Sequence, residues 1–403
     1  MIPKLDEYKK QFELESDDSI KLGLDAVRVA LAKVGHPEKD LQIIHVAGTN
    51  GKGSTIAVME AVLRAHGYTT GVFSSPAIYD IHDQIRLNGS PISQDLLASI
   101  FMEMKTAGLS GTLTDFELLT VAALLAFRKV APDYCLIEAG MGGKLDSTNV
   151  VRPLVSVITS IALDHTGFLG HTIQEITEHK AGIIKPGTPV IIGDLPNEAE
   201  AVVEETAQRN RSRLVEYGRD FVMGLNRNVY FKGIATFELP SRKMKGPHQA
   251  INHAVALEAL LQAGISLEQE LVAKAIANVQ LPFRFQKIND KVYIDGAHNP
   301  AAARMLVRTI EEEFPGETVD WVVGMLNTKD YAETLKILAL VANSFTFVDF
   351  PHPQAARAED LQAVCPISHN KIVSMEEIDL KSTEKYKKFV VGSLYLLSSL
   401  MRQ

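Results

Sequence analysis

Between residues 45 and 67 the chain reads HVAGTNGKGSTIAVMEAVLRAHG, and the residues at its centre have the types and spacing of a phosphate cradle. Gly48, Gly51 and Gly53 let backbone N–H groups converge on an anion, and Thr49, Asn50, Ser54 and Thr55 add polar groups around them. Lys52 carries a cation toward the terminal phosphates, and a helix beginning at Ser54 or Thr55 adds the positive end of its dipole. The helix has Ile56, Met59, Val62 and Leu63 for its apolar face, and an apolar strand leads into the loop. A glycine-rich turn with a surface lysine is the bland alternative, but it leaves the agreement of strand, loop and helix unexplained.

The loop departs from the standard G-x-x-x-x-G-K-[ST] pattern twice: Val46 stands where the first glycine falls, and Gly53 follows the lysine. The hydroxyl that meets Mg²⁺ directly after the lysine is therefore displaced, and another ligand is required. Glu138 ends the apolar run DYCLIEAG, where a carboxylate at a strand's C-terminal edge faces a ligand crevice or binds a nearby helix. His165 follows another strand in SIALDHTG, and its types of partner are open between a metal and a hydrogen bond in the core. Ser75, before Pro76, is a hydroxyl donor or a turn residue.

These residues need elements to hold them. Strand candidates are 43–47, 69–73, 133–139, 155–159 and 188–193, alternating with helical patterns, which argues for a largely parallel sheet flanked by helices. Residues 213–240 change to short runs broken by Gly and Asn and read as β-hairpins. The helix HQAINHAVALEALLQAG follows, ending at a glycine suited to a C-cap. A second α/β rhythm starts after LPFRFQKIND: KVYIDGA, a helix from about Pro300, VDWVVGML, SFTFVDF, KIVS and KKFVVGSLYL. The expected division is a nucleotide-binding domain over 1–285, a link at about 286–290 and a C-terminal domain over 291–403.

Composition sets the class. With 46% hydrophobic and 22% charged residues the chain is a globular protein, and a net charge of -8 disfavours general nucleic-acid binding without excluding a local anion site. Cys135 and Cys365 are too few for a disulfide framework, no run approaches a membrane span, and the charged N-terminal stretch lacks a signal-peptide core. A soluble cytoplasmic protein, expected to be monomeric, follows.

GTNGKGS (48–54) resembles the phosphate loop of the folylpolyglutamate synthase and dihydrofolate synthase group, relatives of the Mur ligases. Further motifs resemble that family in its order: SSPAIYDIHDQIRLNG (74–89), TDFELLT (114–120), IEAGMGGKLDSTNV (137–150), LDHTGFLG (163–170), HKAGIIKPG (179–187), GPHQAIN (246–252), FRFQ (283–286), DGAHNP (295–300) and GSLYL (392–396). The resemblance spans about residues 20 to 400. It implies an α/β fold: a P-loop-type, mainly parallel sheet domain with a small β subdomain, then a smaller Rossmann-like α/β domain.

It also implies roles. Ser75, Glu138 and His165 would hold Mg²⁺, and Lys180 would react with CO₂ to give a carbamate that assists the metal site. Lys185, five residues on, reads as a solvated loop lysine. Asn252 would contact adenine, Arg284 the ATP phosphates, Asp295 and His298 the nucleotide or substrate, and Ser393 the incoming glutamate. Phe116 and Asp146 would form the pterin side. There the chain departs from the family, with Ala77-Ile78 in place of HL after Ser75-Pro76, and Gln84 where ER is usual.

The implied activity is ATP-dependent addition of L-glutamate to the γ-carboxylate of a reduced folate through an acyl phosphate. Dihydrofolate synthase, adding glutamate to dihydropteroate, or an enzyme with both activities is the nearest alternative. A P-loop ATPase or switch would use only the nucleotide half and leaves DGAHN and GSLYL unexplained.

Overall fold

Ile43–Ala47 is apolar except for His45 and buried at every position, as the central strand of a sheet covered on both faces must be. The computed structural model that contains it describes residues 2–224, 229–232, 235–381 and 385–402, with backbone alone at 229–232. The chain forms two compact units, Met1–Ser241 with Ile251–Val279, and Arg242–Ala250 with Gln280–Gln403.

In the first unit the strands are β1 (Ile43–Ala47), β2 (Thr70–Phe73), β3 (Ile85–Leu87), β4 (Ser90–Pro91), β5 (Tyr134–Glu138), β6 (Val155–Ile158), β7 (Val190–Ile192) and β8 (Leu214–Glu216). They form one sheet in the order β4-β3-β2-β5-β1-β6-β7-β8. From β2 to β8 all neighbours are parallel, and the β3–β4 hairpin closes one edge antiparallel. The segment expected to be all hairpin is divided: β8 continues the parallel sheet, while β9 (Phe221–Gly224), β10 (Val229–Lys232) and β11 (Ala235–Glu238) make a separate antiparallel sheet. The remaining parts of that expectation, 225–228 and 233–234, lie outside the described residues.

The helix Asp115–Val130 is buried at every position from Glu117 to Phe127. It packs against β2 on one side and against the helices Asp25–Lys33 and Gln94–Thr106 on the other, so an apolar surface all round is what its place demands. A capping box fixes its start: Thr114 accepts from the Glu117 N–H while the Glu117 carboxylate accepts from the Thr114 N–H. Gly71 in β2 has no Cβ because the Phe127 ring occupies that place, 2.6 Å from an ideal Cβ. Fully burying a side chain such as Phe127 contributes roughly 1.5–3 kcal/mol, so this contact helps set the helix against the sheet.

The second unit has β12 (Gln286–Lys287), β13 (Val292–Ile294), β14 (Val319–Val323), β15 (Ala342–Val348), β16 (Asn370–Val373) and β17 (Lys387–Val391), in the order β12-β13-β17-β14-β15-β16. All pairs are parallel except β12 with β13. Trp321, Phe345, Phe347 and Phe389 fill its core. The helix Pro300–Glu313 starts with Asn299 capping the Ala302 N–H at 2.8 Å and proline in its first turn. Among the described residues no helix is long and apolar enough to cross a membrane.

Candidate active site

Four neighbouring strands bring the candidate residues to one edge of the first sheet. β2 runs out into Ser75, β5 ends at Glu138, β1 runs into the loop 48–51, and β6 leads through Thr159 and Ser160 to His165. β5 is inserted between β1 and β2, and the chain then crosses to β6 on the far side of β1. Such a reversal at the C-terminal edge of an open α/β sheet is where ligands bind.

The loop is pinned to the end of β6. Thr49 N–H donates to Ser160 O at 2.8 Å, and the Thr49 hydroxyl donates to Ala162 O and accepts from the Ala162 N–H. Asn50 O accepts from the hydroxyls of Thr159 (2.6 Å) and Ser160 (2.9 Å). Gly48 is obligatory here, since a Cβ would sit 2.0 Å from Thr159 Oγ1. The helix begins at Lys52, two residues earlier than Ser54, with Gly51 at φ 87° as its N-cap.

Lys52 Nζ donates to Gly48 O at 3.1 Å and lies 3.8 Å from Glu138 Oε1. The Ser75 N–H reaches Glu138 Oε2 at 3.4 Å. Lys180, 4% exposed, also donates to Gly48 O, at 3.0 Å, so two lysines from distant parts of the chain meet beneath the loop. Asn252 lies against Gly51, its Oδ1 2.5 Å from where a Cβ would be. In the first turn of the helix, Ser54 Oγ and Thr55 Oγ1 are buried with no hydrogen-bond partner among the described residues.

Those orphaned hydroxyls bear on whether the residues fit a nucleotide and its metal. Buried polar atoms ordinarily find partners, and two left open at a helix N-terminus beside a lysine fit the oxygens and cation of a bound Mg–phosphate group. Glu138 offers a carboxylate and Ser75, whose N–H reaches that carboxylate, a hydroxyl, and Mg²⁺ needs few protein ligands because it keeps several waters. His165 has an exposed side chain and left-handed backbone (φ 51°), 4.0 Å from Asp164. Among the described residues no group of three or more His, Cys, Asp or Glu forms a metal cage.

Phe116 stacks on Phe73 with ring centroids 5.7 Å apart and covers Gly140, where a Cβ would lie 2.5 Å from its ring. Asp146 is buried and holds the loop after β5 together. Its carboxylate accepts from the N–H groups of Met141 (2.8 Å) and Thr148 (3.0 Å) and from the Thr148 hydroxyl (2.5 Å). Burial pushes its pKa up, against the opposing pull of these donors.

In the second unit, Asp295 follows β13 and accepts from the N–H groups of Phe285 (2.7 Å) and Ala297 (2.9 Å). Burial raises its pKa although Arg284 pulls the other way. Arg284 donates to Phe283 O at 3.0 Å and lies against Gly296. His298 donates from Nδ1 to Gly296 O at 2.9 Å. Ser393 follows β17, is 3% exposed and caps the helix Leu394–Leu400 by accepting from the Tyr395 N–H.

Two family models match the chain: a Mur ligase middle domain over residues 46–260, and a dihydrofolate synthetase C-terminal domain over 278–403. The dihydrofolate synthase/folylpolyglutamate synthase of Bacillus subtilis is 33% identical over 95% of both chains. The chain belongs to this family. The folylpolyglutamate synthase of Lacticaseibacillus casei is 32% identical over 92% of this chain and 91% of its own. Among solved structures, Escherichia coli FolC in complex with DHPP and ADP superposes with a TM-score of 0.89 at 30% identity, covering 99% of this chain and 97% of that one. The bifunctional enzyme of Yersinia pestis, complexed with AMPPNP and Mn, gives 0.87 at 29% identity over 99% and 97%.

Several residues of this family member escape a reading by motif. Thr159 and Ser160 clamp the glycine-rich loop 48–51, yet a Thr-Ser pair after a strand carries no signal by itself. Lys185 is not solvated: its Nζ donates to Asn149 O at 2.9 Å, and burial lowers its pKa to about 8. His45 lies inside β1, fully buried, where strand patterning treats it as one more inward position.

Proposed function

We propose that the protein is an ATP-dependent ligase that joins the amine of L-glutamate to a carboxylate of a pteridine acid, either dihydropteroate or a reduced folate. The observation that carries this reading is the pair of buried, unpartnered hydroxyls of Ser54 and Thr55 in the helix turn headed by Gly51 and Lys52. Relatives named for both activities, from Bacillus subtilis and Escherichia coli, favour an enzyme that performs both steps.

A carboxylate is a poor electrophile, and ATP supplies the remedy. A carboxylate oxygen of the acceptor bonds to the γ-phosphorus as the bond to ADP breaks. The glutamate amine then attacks the acyl carbon, phosphate leaves with the C–O electron pair, and the amine gives up a proton. Gly48–Ser54 backbone donors and Lys52 stabilise the charge that spreads over the γ-phosphoryl oxygens. Mg²⁺, when held by Glu138, Ser75 and His165, adds further neutralisation of the phosphate charge. Asn252 borders the nucleotide base, and Phe116 with the Asp146 loop borders the pteridine. By the family resemblance, Arg284 is assigned to the ATP phosphates, Asp295 and His298 to nucleotide or substrate, and Ser393 to the incoming glutamate. Lys180 acts as a carbamate, and the enzyme works as a cytoplasmic monomer.

The test is incorporation of labelled glutamate by the purified protein with ATP and Mg²⁺, using dihydropteroate and a reduced folate monoglutamate in parallel. Amide product with both supports the full reading, and product with one narrows it. ATP hydrolysis without any amide product overturns it.

A further inference from the structure

His45 is an odd residue for its position. Its strand neighbours Ile43, Ile44 and Val46 are apolar, and the same place in the sheet would accept a β-branched side chain. Instead an imidazole sits there at 0% exposure with Nδ1 lacking any hydrogen-bond partner among the described residues. Leaving a buried polar atom unmatched is destabilising, so packing does not account for it. Its other nitrogen does have a partner: Nε2 lies 2.9 Å from Thr148 Oγ1.

The direction of that bond follows from proton counting. The Thr148 hydroxyl has one proton and donates it to Asp146 Oδ1 at 2.5 Å. Its oxygen must therefore accept from His45, which fixes the imidazole as the Nε2–H tautomer. Burial and the nearby charge of Lys185 hold the ring neutral, with a pKa pushed down to about 3. The result is a one-way chain, His45 to Thr148 to Asp146, with all three residues buried. Asp146 in turn binds the Met141 N–H at 2.8 Å, and Gly140 beside it supports the Phe116 ring.

We propose that His45 is a positioning residue for the acceptor acid: through the Thr148 hydroxyl it fixes the Asp146 carboxylate, and so the loop 140–148, relative to the strand that carries the phosphate loop. The proposal rests on the ligase reading above. Hydrogen bonds in series polarise one another, so removing the first donor loosens the whole chain and not one bond alone. The nucleotide loop does not depend on it, because Thr159, Ser160 and Ala162 hold that loop from the other side.

The experiment measures KM for the pteridine acid and for ATP, with kcat, in wild type, H45L, H45Q, T148V, T148S and H45L/T148V. H45L and T148V should each raise KM for the acid about tenfold, the cost of one buried hydrogen bond. KM for ATP should stay within about twofold in both. The double variant should match the worse single one, because the two residues act through one chain. H45Q and T148S, which keep a donor and a hydroxyl, should stay near wild type. Additive losses, equal changes in both KM values, or H45Q as impaired as H45L would overturn the proposal. Should H45L fail to fold, T148V against T148S reads the same connection. A failure of the ligase reading is separate, since wild type would then form no amide at all.

Discussion

Gly51→Ala and Gly67→Ala make a matched pair that isolates what the phosphate loop demands. Both glycines have nearly the same left-handed backbone, φ +87° and +85°. An alanine there costs about 1–2 kcal/mol in strain, partly offset by about 0.4–1 kcal/mol from a stiffer unfolded chain. Each variant should therefore lose about 1 kcal/mol of stability and a few degrees in Tm. Their surroundings differ: nothing lies within 4 Å of the methyl at 67, whereas at 51 it meets Asn252 Oδ1 at 2.5 Å. To reach an ordinary contact of 3.4 Å the asparagine must retreat by 3.4 − 2.5 = 0.9 Å. Displacements of that size at a positioned ligand contact cost up to about 100-fold, so KM for ATP should rise at least about tenfold in Gly51→Ala and hardly move in Gly67→Ala. Urea denaturation and glutamate incorporation at varied ATP separate the two effects. Equal ATP KM values for the two variants would refute the reasoning.

Other expectations follow from the same geometry. Lys52→Met removes the cation 3.8 Å from Glu138 and should lower kcat by about 10²–10³ with a much smaller change in glutamate KM, read by steady-state kinetics. Lys180 should carry a carbamate when the protein is equilibrated with ¹³C-labelled bicarbonate, seen as a ¹³C carbamate resonance absent from Lys180→Met. If Lys180→Met keeps that resonance, the modification lies elsewhere. Folding stability should fall with acid through His45. Its native pKa, lowered to about 3, sits below the unfolded histidine value, so the unfolded chain takes up a proton first. That part of the stability is whole above about pH 6.5 and is lost as pH falls toward about 3. The pH dependence of the urea midpoint should be shallower in H45Q, and an unchanged slope would contradict the assignment.

The central sheet was readable because its strands are continuous apolar runs closed by chemistry-bearing residues. β1 spans 43–47 as expected, and the strand ending at Glu138 carries its carboxylate to the same edge as the glycine loop. The pattern was silent where pairing depends on partners distant in sequence. The β3–β4 hairpin is too short for periodicity to register, and β8 joins the parallel sheet because β7 offers an open edge, a fact invisible within 213–240. At the site, glycines and lysines announce themselves by type. Thr159, Ser160 and Thr148 do not, since a hydroxyl gains meaning only from the acceptor it meets across the fold. Asp146 is singled out by the family resemblance alone, and its role as the knot of its own loop comes from three donors that sequence spacing does not gather.

The candidate residues of the first sheet come from the same ends of its strands, and the opposite rim carries none of them. The turns there include Gly67, just before β2, and Gly187, just before β7, each opening onto empty space. A fluorophore or a short reporter peptide spliced at either bend would sit at the strand ends opposite the candidate site and should leave glutamate incorporation unchanged. Variation through descent should likewise accumulate on that rim soonest, since drift there disturbs neither substrate nor nucleotide.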